Sequence, residues 1–312
     1  MIALEPPPAP AASPADRPAS LPQLPQLGVG VLYNAALPDL LRSDHDLVDY
    51  VELVPDTFWT DDGMGSVARY QEIGPAVAIL DELAPRLPLV AHSVGLSIGS
   101  ADLFDREHVE QIARWQQRYG FPWHSDHLSF ARVPGGAHEL NAGLAVPVPY
   151  DAEVLDLIAF RVEEIQRRIP VPFLLENNVY YTDLPEQEMS EPEFLNRLAT
   201  RTGCGLLLDV HNVYVNAVNH GFAAESFVDA LDLDRVVEVH VAGGNEFAGL
   251  YTDSHAGPCP EPVWELLDRV VAGARRLAGI TFEFHHSYYP LLGPDGLRRE
   301  LDRARDAWAR RT

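Results

Sequence analysis

The sequence predicts an α/β fold, a parallel (β/α)8 barrel of the TIM type, on three observations. Eight short apolar runs alternate with helix-length segments along the chain. One domain of that architecture takes about 250 residues, which suits a chain of 312 once a proline-rich start is set aside. No Gly-x-Gly-x-x-Gly turn follows the first strand, which argues against an open dinucleotide-binding sheet.

In chain order, Glu5–Pro25 is rich in proline and alanine and reads as disordered linker. The tail is therefore placed at 1–26 and the barrel at 27–312. Leu27–Leu32 is the first strand, with a short helix at Leu37–Leu41. Tyr50–Val54 is the second, with Glu52 facing away from Val51 and Leu53. Val67–Leu83 reads as a helix that Pro85 helps to stop. Leu87–His92 is the third strand, and Ser93–Ser100, with two glycines, a loop. Asp105 caps a helix that Gly120 closes after Tyr119. Trp123–Leu128 is the fourth strand, followed by a long loop to Pro149.

Asp151 then caps a helix with an apolar stripe of Val154, Leu155, Ile158, Val162, Ile165 and Ile169, ended by Pro170. Val171–Glu176 is the fifth strand, Glu193–Arg201 a helix, Gly205–Asp209 the sixth strand and Phe222–Leu231 a helix. Val236–Val241 is the seventh strand, in which Val237, Val239 and Val241 alternate with Glu238 and His240. A buried carboxylate and imidazole there need partners or a metal. Pro262–Leu277 is helical, Ile280–Phe284 is the eighth strand, and Asp295–Arg311 closes the chain as an amphipathic helix.

The net charge is −23 and all 23 bases are arginine. Such a surface repels phosphate, which disfavours nucleic-acid and anionic-membrane partners. Cys204 and Cys259 form no disulfide framework, which suits a reduced, cytoplasmic setting; Cys204 is expected in the core. No apolar run approaches the ~18 residues of a membrane span, and the tail lacks signal-peptide features.

Barrel chemistry collects at the C-terminal ends of the strands. Here the third strand ends at His92, the fourth at Asp126 and His127, the fifth at Glu176, and the sixth at Asp209 with Asn212 beyond it. The seventh ends at His240, with Asp253 and His255 in its loop, and the eighth reaches Glu283. Imidazoles mixed with carboxylates suit Fe, Zn or Mn, and there are more donors than one ion can use. Bridging carboxylates such as Glu176 or Glu283 would let several acids coexist around two or three ions. Taken singly, each has an ordinary reading. Asp126 and His127 form a local pair, Asp209 caps the next segment, and Glu283 pairs with an arginine. His45, His108 and His138 read as solvated, and His124 as packed behind the site. His211, His220, His285 and His286 sit in loops at the same mouth, where they bind substrate, donate a proton or do nothing. Asp126 and His211 are the candidate catalytic residues.

Six stretches together resemble one family: His92–Ser100 (HSVGLSIGS), Ser125–Ser129 (SDHLS), Leu175–Asn178 (LENN), Leu207–Asn216 (LLDVHNVYVN) with Asn219–Gly221 (NHG), Val239–Gly243 (VHVAG) and Asp253–Gly257 (DSHAG). The family is that of the MbnB/TglH-like multinuclear non-haem iron enzymes. The resemblance runs from about Gly28 to Glu283 and implies a barrel of the xylose-isomerase/endonuclease-IV type. It also implies two or three iron ions, O₂ as co-substrate, and oxidation of a cysteine residue in a ribosomally made precursor peptide delivered by a small partner protein. Carried over position by position, the ligands would be His92, His127, Glu176, Asp209, Asn212, His240, Asp253, His255 and Glu283, with Asp126 adjacent. The chain departs from the family at Pro55-Asp56-Thr57, at His211 and at Phe284-His285-His286. Two other readings compete. One is a Zn- or Mn-dependent hydrolase or sugar isomerase on the same barrel; the other is a metal-storing or peptide-binding chaperone.

Overall fold

Eight parallel strands close on themselves in sequence order: Gly28–Leu32, Tyr50–Leu53, Leu89–Ser93, His124–His127, Phe173–Glu176, Gly205–Asp209, Val236–Ala242 and Gly279–Glu283. The first and eighth complete the ring, pairing Val29 with Ile280. The computed structural model describes residues 21–135, 138–182 and 187–311; the expectation of a disordered tail lies outside them for residues 1–20. Leu21, by contrast, is buried, and its carbonyl accepts from Arg276 Nη1 at 2.7 Å.

The capping chemistry acts where the sequence puts it. Asp105 accepts from the His108 amide, and Gly120 ends that helix, Arg106–Tyr119, at φ 68°. Asp151 accepts from Val154 N at the start of Ala152–Arg168, whose Ile158, Val162 and Ile165 turn inward. Outward-facing strand residues (Val29, Val31, Val51, Leu53, Val239, Val241, Ile280 and Phe282) pack with these helix faces in one large core.

A second, smaller core fills the bore. Leu21, Tyr50, Val90, Trp123, Leu174, Leu207, Val237 and Ala278 form a sealed floor at the N-terminal end. Tyr50 can cross the bore because Gly30 and Gly279 face it: a Cβ at Gly30 would lie 2.5 Å from its ring and one at Gly279 2.6 Å from its hydroxyl. The register of the sixth and seventh strands slips here, Leu206 opposite Val236 but Leu207 opposite Glu238. The extra residue, Val237, joins the floor while Val239 and Val241 join the outer core, so the expected alternation holds only after the bulge.

Several elements differ from expectation. The helix expected from Val67 begins at Gly74, because Tyr70–Glu72 instead pairs antiparallel with Trp59–Asp61. Arg69 holds that hairpin, reaching Asp61 at 2.6 Å and Asp105 at 2.6 Å. The long loop before Pro149 is a hairpin of Ser129–Gly135 with His138–Pro147. What reads as loop after Asp209 is a helix, Val210–His220. The last helix runs Tyr289–Ala309 with a break at Gly293, φ 64°. Cys204 is buried as expected, and Cys259 is buried too.

Candidate metal centre

The donors at the strand ends converge on one cluster above the bore. His92 Nε2 and His127 Nε2 approach Glu176 Oε2 at 3.3 and 3.1 Å. His240 Nδ1 lies 3.3 Å from Glu283 Oε1 and 3.7 Å from Glu176 Oε1, and its Nε2 lies 2.8 Å from Glu52 Oε2. The seventh-strand loop brings His255 Nε2 to Asp253 Oδ1 at 3.0 Å and to Glu283 Oε2 at 3.3 Å. Among the described residues three compact donor sets result: His92, His127 and Glu176; Glu176, Asp209 and His240; Glu52, His240 and Glu283. Glu176 and His240 each belong to two of them.

Local structure aims these groups. His92 Nδ1 lies 2.9 Å from Ser125 Oγ, which turns Nε2 toward Glu176. Asp209 ends its strand and caps the next helix, accepting from the Asn212 amide at 2.8 Å. Asn177 locks the turn after Glu176 by donating to the Asp209 carbonyl and accepting from its amide. Asn212 Nδ2 donates to the Asn177 carbonyl at 3.1 Å, leaving Oδ1 buried without a partner among the described residues.

Asp126 and His211 stand beside the cluster. The Asp126 carboxylate accepts from the amides of His127 (2.7 Å) and Leu96 (3.3 Å). His211 lies in the new helix, with Nδ1 at 3.0 Å from Asp253 Oδ1 and Nε2 buried and unpartnered among the described residues. Of the remaining histidines, His108 is buried rather than solvated and faces Asp56 Oδ1 at 3.2 Å. His124 is buried against Ser93 Oγ at 3.1 Å, His45 is exposed, and the His138 side chain lies outside the described residues. His285 and His286 are exposed, whereas the His220 Nε2 meets the Tyr180 carbonyl at 3.0 Å.

Glu52 is the participant that reading the strand ends misses. It sits one residue before the end of its strand, below the rim, yet it alternates with Val51 and Leu53 just as Glu238 and His240 alternate with valines. Facing, not distance to the strand end, is the signal. Glu238, one layer lower, finds partners: Tyr50 Oη at 3.0 Å, Thr281 Oγ1 at 2.9 Å and Trp123 Nε1 at 2.6 Å all donate to it.

The electrostatics are those of buried acids and imidazoles crowded together and shifted in opposite directions. Burial pushes Glu52 up to about 8 with the Glu238 carboxylate adding to it, and burial lifts Asp209 to about 6 with Asp253 and Glu283 adding. Burial also drives Glu176 well above the usual carboxylate range and holds His92 well below the usual imidazole range. Burial opposes charge on His240, but the Glu283 and Glu52 carboxylates outweigh it and raise that imidazole. Both oxygens of Glu52, Glu176 Oε2 and both ring nitrogens of His240 lack hydrogen-bond geometry to any partner among the described residues. Such atoms are expensive to bury unpaired. Mixed imidazole and carboxylate donors with unspent lone pairs fit divalent first-row metals bound by shared carboxylates.

A family model described as "RiPP precursor modification enzyme MbnB/TglH/ChrH" matches residues 26–309, nearly the whole barrel. The chain belongs to this family. Among relatives of this MbnB/TglH/ChrH protein, a UPF0276 protein of Caulobacter vibrioides is 33% identical over 270 residues, covering 86% of this chain and 89% of the relative. One from Neisseria meningitidis serogroup C is 35% identical over 247 residues, covering 78% and 82%. In solved structures the barrel is similar to endonuclease IV from Thermus thermophilus, with TM-score 0.54, 17% identity and coverage of 90% of this chain and 99% of that one. It is also similar to D-psicose 3-epimerase from Clostridium cellulolyticum, with TM-score 0.55, 12% identity and coverage of 89% and 97%. At those identities the likeness shows the fold, a xylose-isomerase-like barrel. The family is described as one of enzymes that modify ribosomally made precursor peptides, as the resemblance of the motifs implied, and the fold is shared with other enzymes.

Proposed function

We propose that this protein is an iron-dependent, O₂-using oxidase that modifies a cysteine residue of a ribosomally synthesised precursor peptide. The observation that carries the reading is the set of overlapping, hydrogen-bond-starved donors at the barrel mouth of a precursor-modifying family member. His92, His127, Glu176, Asp209, Asn212, His240, Asp253, His255 and Glu283 would hold the ions, with Glu52 beneath His240. Bound iron would supply an anchor for the substrate thiolate and the redox chemistry with O₂.

The chain's own residues would do the positioning. Ser125 fixes the orientation of the His92 ring, and His211 braces Asp253 from behind. Asp126, tied to two backbone amides, holds the His127 backbone to the loop at Leu96. The apolar floor keeps water from reaching the cluster through the bore. A small partner protein would present the peptide at the mouth, and neither nucleic acid nor membrane is expected as a partner. Among the described residues no helix is long and apolar enough to cross a membrane.

The test uses protein purified without air. Metal analysis should find iron, and a cysteine-bearing precursor peptide should consume O₂ and change mass. Zinc in place of iron, with no O₂ uptake after Fe(II) is added, would overturn the oxidase; O₂-independent turnover of a sugar or a phosphodiester would favour the isomerase or hydrolase instead.

A further inference from the structure

A cavity of about 330 Å³ opens on the rim, walled by Pro147, Tyr150, Tyr180, Met189 and Glu191. That is near the lower end of the range for small-ligand sites, about 300–1,000 Å³. Two of its walls carry buried polar groups with no cation beside them. Tyr150 and Glu191 are each only 6% exposed and turn to each other across the wall, but neither Tyr150 Oη nor Glu191 Oε1 reaches full hydrogen-bond geometry among the described residues.

Helix capping does not account for the carboxylate. Glu191 opens the helix Glu191–Thr202, but Ser190 already caps it by accepting from the Glu193 amide at 3.3 Å. Nor does the wall look like plain core. Burial pushes the Glu191 carboxyl up to about 8, with the Tyr150 hydroxyl and the Asn178 amide pulling it back down. Tyr150 and Tyr180 are the other ionisable residues lining the space, and among the described residues no arginine lines it. Asn178 follows Glu176 by two residues, so one turn serves both this cavity and the metal centre.

We propose that this cavity is a cation subsite that takes a guanidinium or primary ammonium group on an aliphatic stem. The Glu191 carboxylate pairs with the charge, the Tyr150 hydroxyl accepts a second hydrogen bond from it, and the two tyrosine rings and Met189 cover the stem. The chain's own charge of −23 draws such a group in. In the peptide-modifying reading the cation is an arginine or lysine of the precursor; the subsite rests on that reading for the source of the cation and for nothing else.

The full-length protein, kept free of O₂, is titrated with Nα-acetyl-arginine methylamide, its lysine counterpart and the uncharged citrulline counterpart, followed by calorimetry and NMR. The two cations should bind saturably, and the citrulline compound about tenfold or more weaker. Glu191→Gln should weaken the cations by a similar factor while leaving citrulline unchanged. Affinity for the cations should rise as pH increases toward about 8, since they select the ionised carboxylate. Tyr180→Leu, at a half-buried position, should weaken both cations and serves if Glu191→Gln does not fold. Equal binding of citrulline, undiminished binding by both variants, or no binding at millimolar cation would overturn the subsite. Each of those outcomes leaves O₂ uptake with the peptide to be judged by itself, and a peptide that is never oxidised leaves cation binding standing.

Discussion

Two groups of buried charge flank the third-strand loop and are built on opposite plans. In one, Asp105 is fully buried and both oxygens are taken: Arg69 grips it with Nη1 at 2.9 Å and Nη2 at 2.6 Å, and Arg132 adds a contact at 2.9 Å. The His108 amide completes the set at 3.0 Å. In the other, the acids of the mouth crowd against imidazoles, and several atoms lack hydrogen-bond geometry to any partner among the described residues. Charge that is closed off by arginine fastens elements together; here it joins the Trp59–Glu72 hairpin, the Ser129–Pro147 hairpin and a helix start. Charge left open is costly unless something else completes it. The difference separates scaffold from site without reference to any relative.

The largest effect should come from breaking the open cluster. Glu176→Ala removes a carboxylate common to two donor sets and should lose at least one bound ion per chain, with His240→Ala close behind. Metal analysis beside far-ultraviolet circular dichroism checks this; full metal content in either variant would remove that residue from the centre. Breaking the closed cluster should do the reverse. Arg69→Ala leaves the buried Asp105 carboxylate with only Arg132 and the His108 amide and should cost roughly 3 kcal/mol in urea unfolding, with metal content unchanged.

Acid sharpens the contrast further. Burial would raise the Asp105 carboxyl, but Arg69 and the His108 amide outweigh it and hold it below the usual range. A depressed carboxylate stabilises the fold above its unfolded value, near ~3.9, and that contribution fades as pH falls through its lower folded value. Wild type should therefore lose its stability advantage over Asp105→Asn only in strong acid, which unfolding curves at stepped pH would show. The smallest effect belongs to the exposed pairs. Arg42→Ala, which severs a contact to Glu82 at 2.9 Å, should leave the unfolding midpoint unmoved.

Much of this was legible in the chain. All eight barrel strands follow from apolar runs, and the rim donors from the last six of them, which end in or beside His, Asp or Glu, because a closed parallel sheet sends every strand end to the same mouth. Glu52 was not read as a donor because it sits below the rim, where only the alternation with Val51 and Leu53 marks it. The helix Val210–His220 was hidden by Val210, Val213 and Val215, β-branched residues that weaken a helical pattern, although Asp209 as its cap was in view. The hairpin at Tyr70–Glu72 depends on Arg69 finding Asp105, 36 residues away, and no local pattern carries that. The bulge at Val237 likewise comes from pairing between strands.

Tyr50 laid between two glycines has one further consequence. Among the described residues it closes the lower end of the bore and leaves the mouth as the way in. Whatever met ions held at the mouth would have to leave by the way it came, so a bulky peptide settled in the entrance would hold back later arrivals. Any small co-reactant would then have to be inside first or slip past its larger companion, and the order of entry becomes part of the chemistry.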